Sequence, residues 1–268
     1  AFFCRSGWEV FALTATADSA TERSRPGCRV LALDFTDPVA LEALAAERFD
    51  AVLHCASSRG GGPDLYARVY RDGLRNLVER FRGAKVVFTG STSVYAQTDG
   101  GIVDETSETR PERETGRVLL EAERMALDAG GVVLRLGGLY GPGRSAPIAR
   151  YLAGSARLEE GGGRWMNQIH RDDAAAACLR AVGLPGGIYN VVDDRPATQR
   201  EVYSWIAEYF GGELPPVGPA DPARKRGLTS KRVSNARLRA TGWKPAFPGY
   251  RDAIPVIAPT IVQGTGSS

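Results

Sequence analysis

Residues 84–96 read AKVVFTGSTSVYA. Val86, Val87 and Phe88 form a short apolar, β-branched run, and it stops abruptly in a cluster of hydroxyls: Thr89, Ser91, Thr92, Ser93 and Tyr95. A strand covered on both faces reads as an unbroken apolar run and not as an alternation, so this stretch predicts a buried strand with a polar carboxyl end.

The same texture recurs on both sides of it. WEVFAL (8–13), CRVLALD (28–34), FDAVLHCA (49–56) and GVVLRLGG (131–138) are apolar runs bounded by Gly, Pro or charge. Helical patterns separate them. In Pro63–Phe81, Leu65, Val69, Leu74, Leu77 and Phe81 approximate one face. Strands alternating with helices predict an α/β fold with a parallel sheet covered on both sides. After GPGR (141–144) the texture changes. GIYNVVD (187–193) predicts a strand, helices are expected over 172–182 and 198–210, and GGELPPVGPADPARKRG (211–227) has a surface-loop composition. The expected organisation is a sheet domain over 1–145 and a smaller lobe over 146–258, interleaved with the sheet.

Bulk properties bound the function. The 268 residues are 43% hydrophobic, enough for one large core or two modest ones. The net charge is +3, and the 34 Lys and Arg are dispersed, which argues against a nucleic-acid partner. No apolar run approaches the ~20 residues of a membrane span. No secretory leader is recognisable, so a cytoplasmic location is expected. Cys4, Cys28, Cys55 and Cys178 stand singly, and His54 and His170 are the only histidines, so no metal site is expected.

Polar residues gather at the ends of four predicted strands: Asp34 in VLALDFTD (30–37), the small residues of DAVLHCASS (50–58), the hydroxyls after Phe88, and LRLGGLYGPGR (134–144). Alone, each reads as a cap or a turn. Their recurrence matters, because ligands of open parallel sheets bind outside the carboxyl ends of the strands.

In order, LDFTD, FDAVLHCASS, YRDGLRNLVE, VVFTGSTSVYA, ETGRVLLEAE, LRLGGLYGPGR and NQIHRDDAAAA resemble the extended short-chain dehydrogenases/reductases of the NAD(P)-dependent epimerase/dehydratase family, in their atypical nucleoside-diphosphate-sugar epimerase-like branch. The resemblance covers roughly residues 7–245. It implies a Rossmann-type doubly wound sheet with a smaller C-terminal substrate lobe. It also implies NAD or NADP as cofactor and a small hydroxylated or nucleotide-sugar-like substrate; a monomer or homodimer is expected. Carried over by residue, Ser91 takes the catalytic serine's place. Asp34 and Phe35 would flank the adenine; His54, Cys55, Ala56 and Ser57 would line the ribose side; Thr89 would stand by the nicotinamide, with Gly137 also at the cofactor. Asn167 and His170 would face the substrate, and Lys231 and Arg232 could meet a substrate phosphate.

Two departures stand out. The family pattern Y-x-x-x-K-x-x-x-E falls on Thr115, Leu119 and Glu123 of ETGRVLLEAE (114–123), so the phenol and ammonium of the usual dyad are absent. Tyr95 or Tyr140 is the substitute phenol to consider. Three functions stay open: an NAD(P)-dependent oxidoreductase or epimerase with an altered acid/base group, which the intact Ser91 favours; a dinucleotide-binding or redox-sensing module; and a cofactor-free isomerase. The second departure is that the resemblance places a first strand and a G-x-x-G-x-x-G loop ahead of residue 1. ALTAT (12–16) offers neither a carboxylate for a ribose diol nor an arginine for a 2′-phosphate, so NAD and NADP are not distinguished. The sheet is expected to show a slot two strand spacings wide, roughly 9–10 Å, between Trp8–Leu13 and Ala51–His54. Alternatively, Thr260–Gln263 fills it as a strand, with Gly264 and Gly266 turning beneath the cofactor.

Overall fold

The computed structural model describes residues 2–58, 62–219 and 229–265. Along the chain, α1 (Phe2–Arg5), β1 (Val10–Thr14), α2 (Ala17–Arg23), β2 (Cys28–Ala32) and β3 (Ala51–His54) come first. Next are α3 (Pro63–Ala67), a π-helical turn (Arg68–Asp72), α4 (Gly73–Arg80), β4 (Lys85–Ser91), β5 (Ile102–Val103) and α5 (Glu114–Asp128). β6 (Val132–Leu136), β7 (Gly138–Tyr140), α6 (Ala146–Leu152), β8 (Leu158–Glu159), β9 (Trp165–Met166), β10 (Gln168–His170) and α7 (Arg171–Val182) follow. The last elements are β11 (Gly187–Val191), β12 (Ala197–Thr198), α8 (Gln199–Phe210), β13 (Val217–Gly218), β14 (Arg232–Val233), α9 (Ala236–Arg239) and α10 (Tyr250–Thr265). Apart from the alternative strand at Thr260–Gln263, every strand and helix named from the sequence is present at its place. Part of the 211–227 loop lies outside the described residues.

The elements form two compact units: residues 1–90, 112–134 and 178–188, and residues 91–111, 135–177 and 189–268. In the first, β1 and β2 pair in parallel from Val10↔Cys28 to Thr14↔Ala32, and β3 and β4 pair in parallel from Ala51↔Lys85 to His54↔Phe88. The larger sheet has the order β11-β6-β4-β3; β3 lies within this unit, and β4, β6 and β11 begin in it. β1 and β3 belong to separate sheets. The sheet thus divides between the two strands where a slot was expected, and among the described residues no strand bonds the facing edges. Side chains join the two sheets instead. Phe49 packs edge-to-face on Phe11 of β1 (5.1 Å) and on Phe81 after α4 (5.0 Å), within a cluster that includes Leu13, Leu33, Val52 and Leu77.

The alternative, a strand at Thr260–Gln263, is overturned. These residues lie in α10, and Gly266 is outside the described residues. Tyr250, Ala253, Ile254, Ile257, Ala258 and Ile261 are all buried, at i, i+3, i+4, i+7, i+8 and i+11 of one helical stripe. Two prolines inside the helix, Pro255 and Pro259, fall on its exposed side. Each costs about 3 kcal/mol relative to alanine, but burying Tyr250 and the three isoleucines returns about 1.5–3 kcal/mol apiece. Burial wins, and the helix forms.

The second unit is assembled from short pairs, β7–β10, β8–β13 and β5–β14 parallel and β9–β12 antiparallel. Their core includes Tyr140, Ile148, Leu158 and Ile206 beside α10. α8 is bounded as its sequence suggests: Thr198 and Glu201 make a reciprocal capping box, and Gly211 ends the helix at φ 64°.

One glycine has a steric reason to be there. A Cβ on Gly73, the first residue of α4, would overlap the Phe35 ring. Gly73→Ala is expected to lower unfolding stability by about 1–3 kcal/mol, the usual penalty of overpacking, in chemical denaturation. An unchanged midpoint would mean that Phe35 has room to move.

Candidate functional site

In the first unit the polar residues collect just beyond β2, β3 and β4. Asp34 is the most elaborated of them. Its Oδ1 accepts from the Thr36 backbone N (2.9 Å) and hydroxyl (2.7 Å), and its Oδ2 accepts from Arg68 Nη2 (2.7 Å). Burial pushes its pKa up, but the hydrogen bonds from Thr36 and the guanidinium of Arg68 outweigh it and hold the carboxyl below its usual range. Phe35 turns its ring towards His54 (5.4 Å) and Gly73. Nothing local in the sequence pointed to Arg68, because it reaches Asp34 across 34 residues.

His54 is 1% exposed, ringed by Phe35, Tyr70 and Phe88. Its Nε2 donates to the Val69 carbonyl (2.9 Å), and burial lowers its pKa, so it is neutral with the proton on Nε2. Cys55 and Ser57 are exposed, and Ala56 is half-buried. The Thr89 hydroxyl donates to the His54 carbonyl (3.1 Å), tying the ends of β3 and β4 together.

α5 carries the ETGRVLLEAE stretch. Thr115 is half-buried, while Leu119 and Glu123 are 2% and 3% exposed. The Glu123 carboxylate lies against the β4 backbone, 3.0 Å from where a Cβ on Gly90 would be. α5 therefore presents a hydroxyl at Thr115, an aliphatic chain at Leu119 and a buried carboxylate at Glu123. A cleft of about 400 Å³ opens between α3 and α5, lined among others by Asp64, Arg71, Glu114, Arg117 and Glu121. It shares no residue with the strand-end group.

In the second unit, Ser91 caps the 3₁₀ turn Thr92–Val94, its Oγ accepting from Ser93 N (3.2 Å). Ser91 is half-buried, and among the described residues its own hydroxyl hydrogen has no acceptor. Tyr95 is 0% exposed. Its hydroxyl donates to Asn190 Oδ1 (2.9 Å) and accepts from Arg135 Nη1 (2.9 Å), and the guanidinium lies 4.9 Å from the ring centroid. Burial raises its pKa against the pull of Arg135. The phenol proton is committed inside the unit, a geometry that stabilises the fold and offers no acid to a ligand. Tyr140 is 1% exposed and its pKa is likewise driven upward by burial.

Of the four residues expected to meet a substrate, His170 and Lys231 are buried, Asn167 and Arg232 are half-buried, and all four have partners within the unit. Asn167 bridges to β14, donating to the Lys231 carbonyl (2.9 Å) and accepting from Val233 N (2.8 Å). A Cβ on Gly137 would come within 2.9 Å of the Asn167 carbonyl, so this glycine serves a close backbone approach. His170 is buried between Tyr140 (5.5 Å) and Phe247 (4.2 Å), its Nδ1 accepting from Asp172 N. Arg232 donates to the Gly100 carbonyl (3.0 Å) and stacks over Trp165. Lys231 is 3% exposed; its ammonium donates to the Tyr95 carbonyl (2.8 Å) and to the Thr229 hydroxyl, and burial brings its pKa down to about 8. Arg135, Asn190 and Lys231 thus form a buried polar set around Tyr95. The sequence carried one signal for it, an arginine in the middle of the apolar run VVLRL.

The model of the NAD dependent epimerase/dehydratase family matches residues 2–191. The chain belongs to that family. A Streptomyces protein named 3-diazoavenalumate denitrifying reductase is 32% identical over 282 residues, covering 92% of this chain and 91% of the relative. Protein YeeZ of Escherichia coli K12 is 30% identical over 195 residues, 69% of each chain. Among solved structures, the UDP-glucose 4-epimerase of Thermus thermophilus in complex with NAD is 25% identical at TM-score 0.80, over 98% of this chain and 93% of that one. The Thermotoga maritima UDP-glucose 4-epimerase with UDP-glucose superposes at TM-score 0.82 with 18% identity, over 97% and 93%, a likeness of fold alone. The fold is therefore α/β of the Rossmann type. No helix among the described residues is long and apolar enough to cross a membrane.

Proposed function

We propose that this family member is an NAD(P)-dependent oxidoreductase acting on a small hydroxylated or nucleotide-sugar-like substrate, and that it works without the phenol and ammonium usually carried by α5. The observation that carries the reading is the strand-end carboxylate of Asp34, ionised and oriented by Thr36 and Arg68. An acceptor of this kind beyond a parallel strand suits the amino group of an adenine. Small residues after β3, Ala56 and Ser57, fit the close approach of a flat ligand. The described residues thus fit the adenosine end of a nicotinamide dinucleotide, which when bound supplies or accepts a hydride. Ser91 orients the reacting carbonyl or hydroxyl through its free hydrogen. Leu119, buried, neither holds a ribose nor shifts a neighbouring pKa, and the Thr115 hydroxyl is too weak an acid to protonate an alkoxide near neutrality.

This last point favours a second acceptor class. Where hydride arrives as a leaving group departs, no alkoxide forms and no phenol is required. Hydride transfer to an arenediazonium ion, releasing dinitrogen and leaving the arene, meets that condition. The similarity to a relative named for the reduction of a diazo compound supports including it.

The test is calorimetric titration with NAD⁺, NADP⁺ and their reduced forms, followed by oxidation of the reduced form that binds, with nucleotide-sugar, simple carbonyl and arenediazonium acceptors. Binding in the micromolar range with turnover of any acceptor class supports the reading; no binding removes it. In the same assay Thr115→Ala is expected to keep turnover within about twofold, since no proton passes through it. A loss of about 10²-fold, the scale of a general acid, would assign Thr115 the chemistry.

A further inference from the structure

Asp34, Thr36 and Arg68 close a ring. Thr36 Oγ1 donates to Asp34 Oδ1 (2.7 Å) and accepts from Arg68 Nε (2.8 Å), while Arg68 Nη2 donates to Asp34 Oδ2 (2.7 Å). The Thr36 backbone N adds a second bond to Oδ1 (2.9 Å). A carboxylate offers about four lone-pair positions, two on each oxygen. Among the described residues Oδ1 is filled twice and Oδ2 once, which leaves one acceptor position, on Oδ2, with its direction set by the ring.

α4 holds the neighbouring backbone in place through Phe35 and Thr36. The Gly73 backbone closes on the Phe35 ring, and Asn76 Nδ2 donates to the carbonyls of Phe35 (3.3 Å) and Thr36 (3.1 Å). Arg68 itself opens a π-helical turn, Arg68–Asp72, set between α3 and α4. Such turns re-aim side chains at functional sites. An exposed ion pair alone would be worth little, and Arg68 is 57% exposed. Its second bond, to Thr36, restricts it to one geometry.

We propose that Arg68 is a specificity-determining positioning residue, which fixes Asp34 so that its single open acceptor selects a 6-aminopurine over a 6-oxopurine in the bound dinucleotide. The inference rests on the nucleotide-binding reading above. An adenine amine places an N–H opposite the open position. A hypoxanthine places a carbonyl there, acceptor against acceptor, and a carboxylate held by Thr36 and Arg68 cannot swing away to relieve it. Without Arg68, Oδ2 is free to rotate and to take water between itself and the base, so both purines are tolerated.

The probes are NAD⁺ and nicotinamide hypoxanthine dinucleotide, titrated calorimetrically into the full chain and into Arg68→Met, Arg68→Lys and Asp34→Asn, with thermal midpoints recorded for each. The parent is expected to prefer NAD⁺ by about tenfold or more, the scale of one bond left unmade. Arg68→Met should bring the ratio below about threefold, mainly through weaker NAD⁺ binding. Arg68→Lys can pair with Oδ2 but not bond Thr36 at the same time, and should fall between. Asp34→Asn, whose amide can donate to a 6-oxo group, should narrow or reverse the preference. Equal loss of both dinucleotides in Arg68→Met, or a preserved ratio, overturns the proposal while leaving nucleotide binding intact. If neither these two nor NADP⁺ binds the parent, the reading of the site fails and this inference fails with it; a parent that binds NADP⁺ alone is given the same test with NADP⁺ and its hypoxanthine analogue.

Discussion

Ser91→Ala should lower turnover about 10²-fold or more, the loss typical of a single donor aimed at charge developing in the transition state, with dinucleotide affinity changed less than about twofold. The reason lies in the serine's hydrogen bonding. Its Oγ takes the Ser93 N–H at 3.2 Å, which fixes the rotamer and leaves the hydroxyl hydrogen for a substrate oxygen. Alanine removes that donor and keeps the extended backbone at φ −146°, ψ 141°. Stopped-flow or steady-state rates with the acceptor identified above decide it. A mutant as active as the parent would remove Ser91 from the chemistry, whatever the dinucleotide does.

A comparably large effect is expected at Lys231, on stability. The folded chain holds its pKa at about 8 by burial, against an ordinary value of 10.5. A group whose folded pKa is depressed contributes its full stability only above the unfolded value and loses it as pH falls through the folded one. The buried ammonium therefore works against folding below pH 8, and this penalty disappears as pH rises from about 8 to 10.5. The displacement corresponds to about 3 kcal/mol. Comparing the parent with Lys231→Met cancels the other groups that titrate in this window. The stability of the parent relative to the variant should rise by about that amount between about pH 7.5 and 10.5 in urea unfolding. A flat difference would mean that the Tyr95 carbonyl and Thr229 hydroxyl solvate the charge as well as water does. His54 acts in the acidic range in the same sense, because burial lowers its pKa and its stabilising neutral form is lost below the unfolded value.

The sheet was legible because buried strands leave unbroken apolar runs, and Val86–Phe88 and Val132–Leu134 could be read from composition. Asp34 was legible for a similar reason, as a charge at the point where such a run stops. What could not be read is the fate of long polar side chains whose partners lie far along the chain. Lys231 finds the Tyr95 carbonyl 136 residues away, and Arg68 finds Asp34 over 34. Nothing in the local pattern says whether such a cation faces a ligand or the protein's own carbonyls. The C-terminal segment misled for the opposite reason. Pro255, Pro259 and the glycines after Gln263 are helix breakers locally, and only the stripe from Tyr250 to Ile261, needed to complete a core, reverses that preference.

α10 has a bearing on the chain's birth as well as its fold. With two prolines it has little capacity to be helical alone, so it waits for the core it covers, and that core waits for it. At the roughly 5–20 residues per second of synthesis, about 6–20 s separate the addition of Ile148 from that of Ile261. Through that interval the apolar faces of Tyr140 and Ile148 have no α10 to close on, and Ile206 joins them about half-way through it. The nascent second unit therefore keeps apolar surface exposed until α10 has been made.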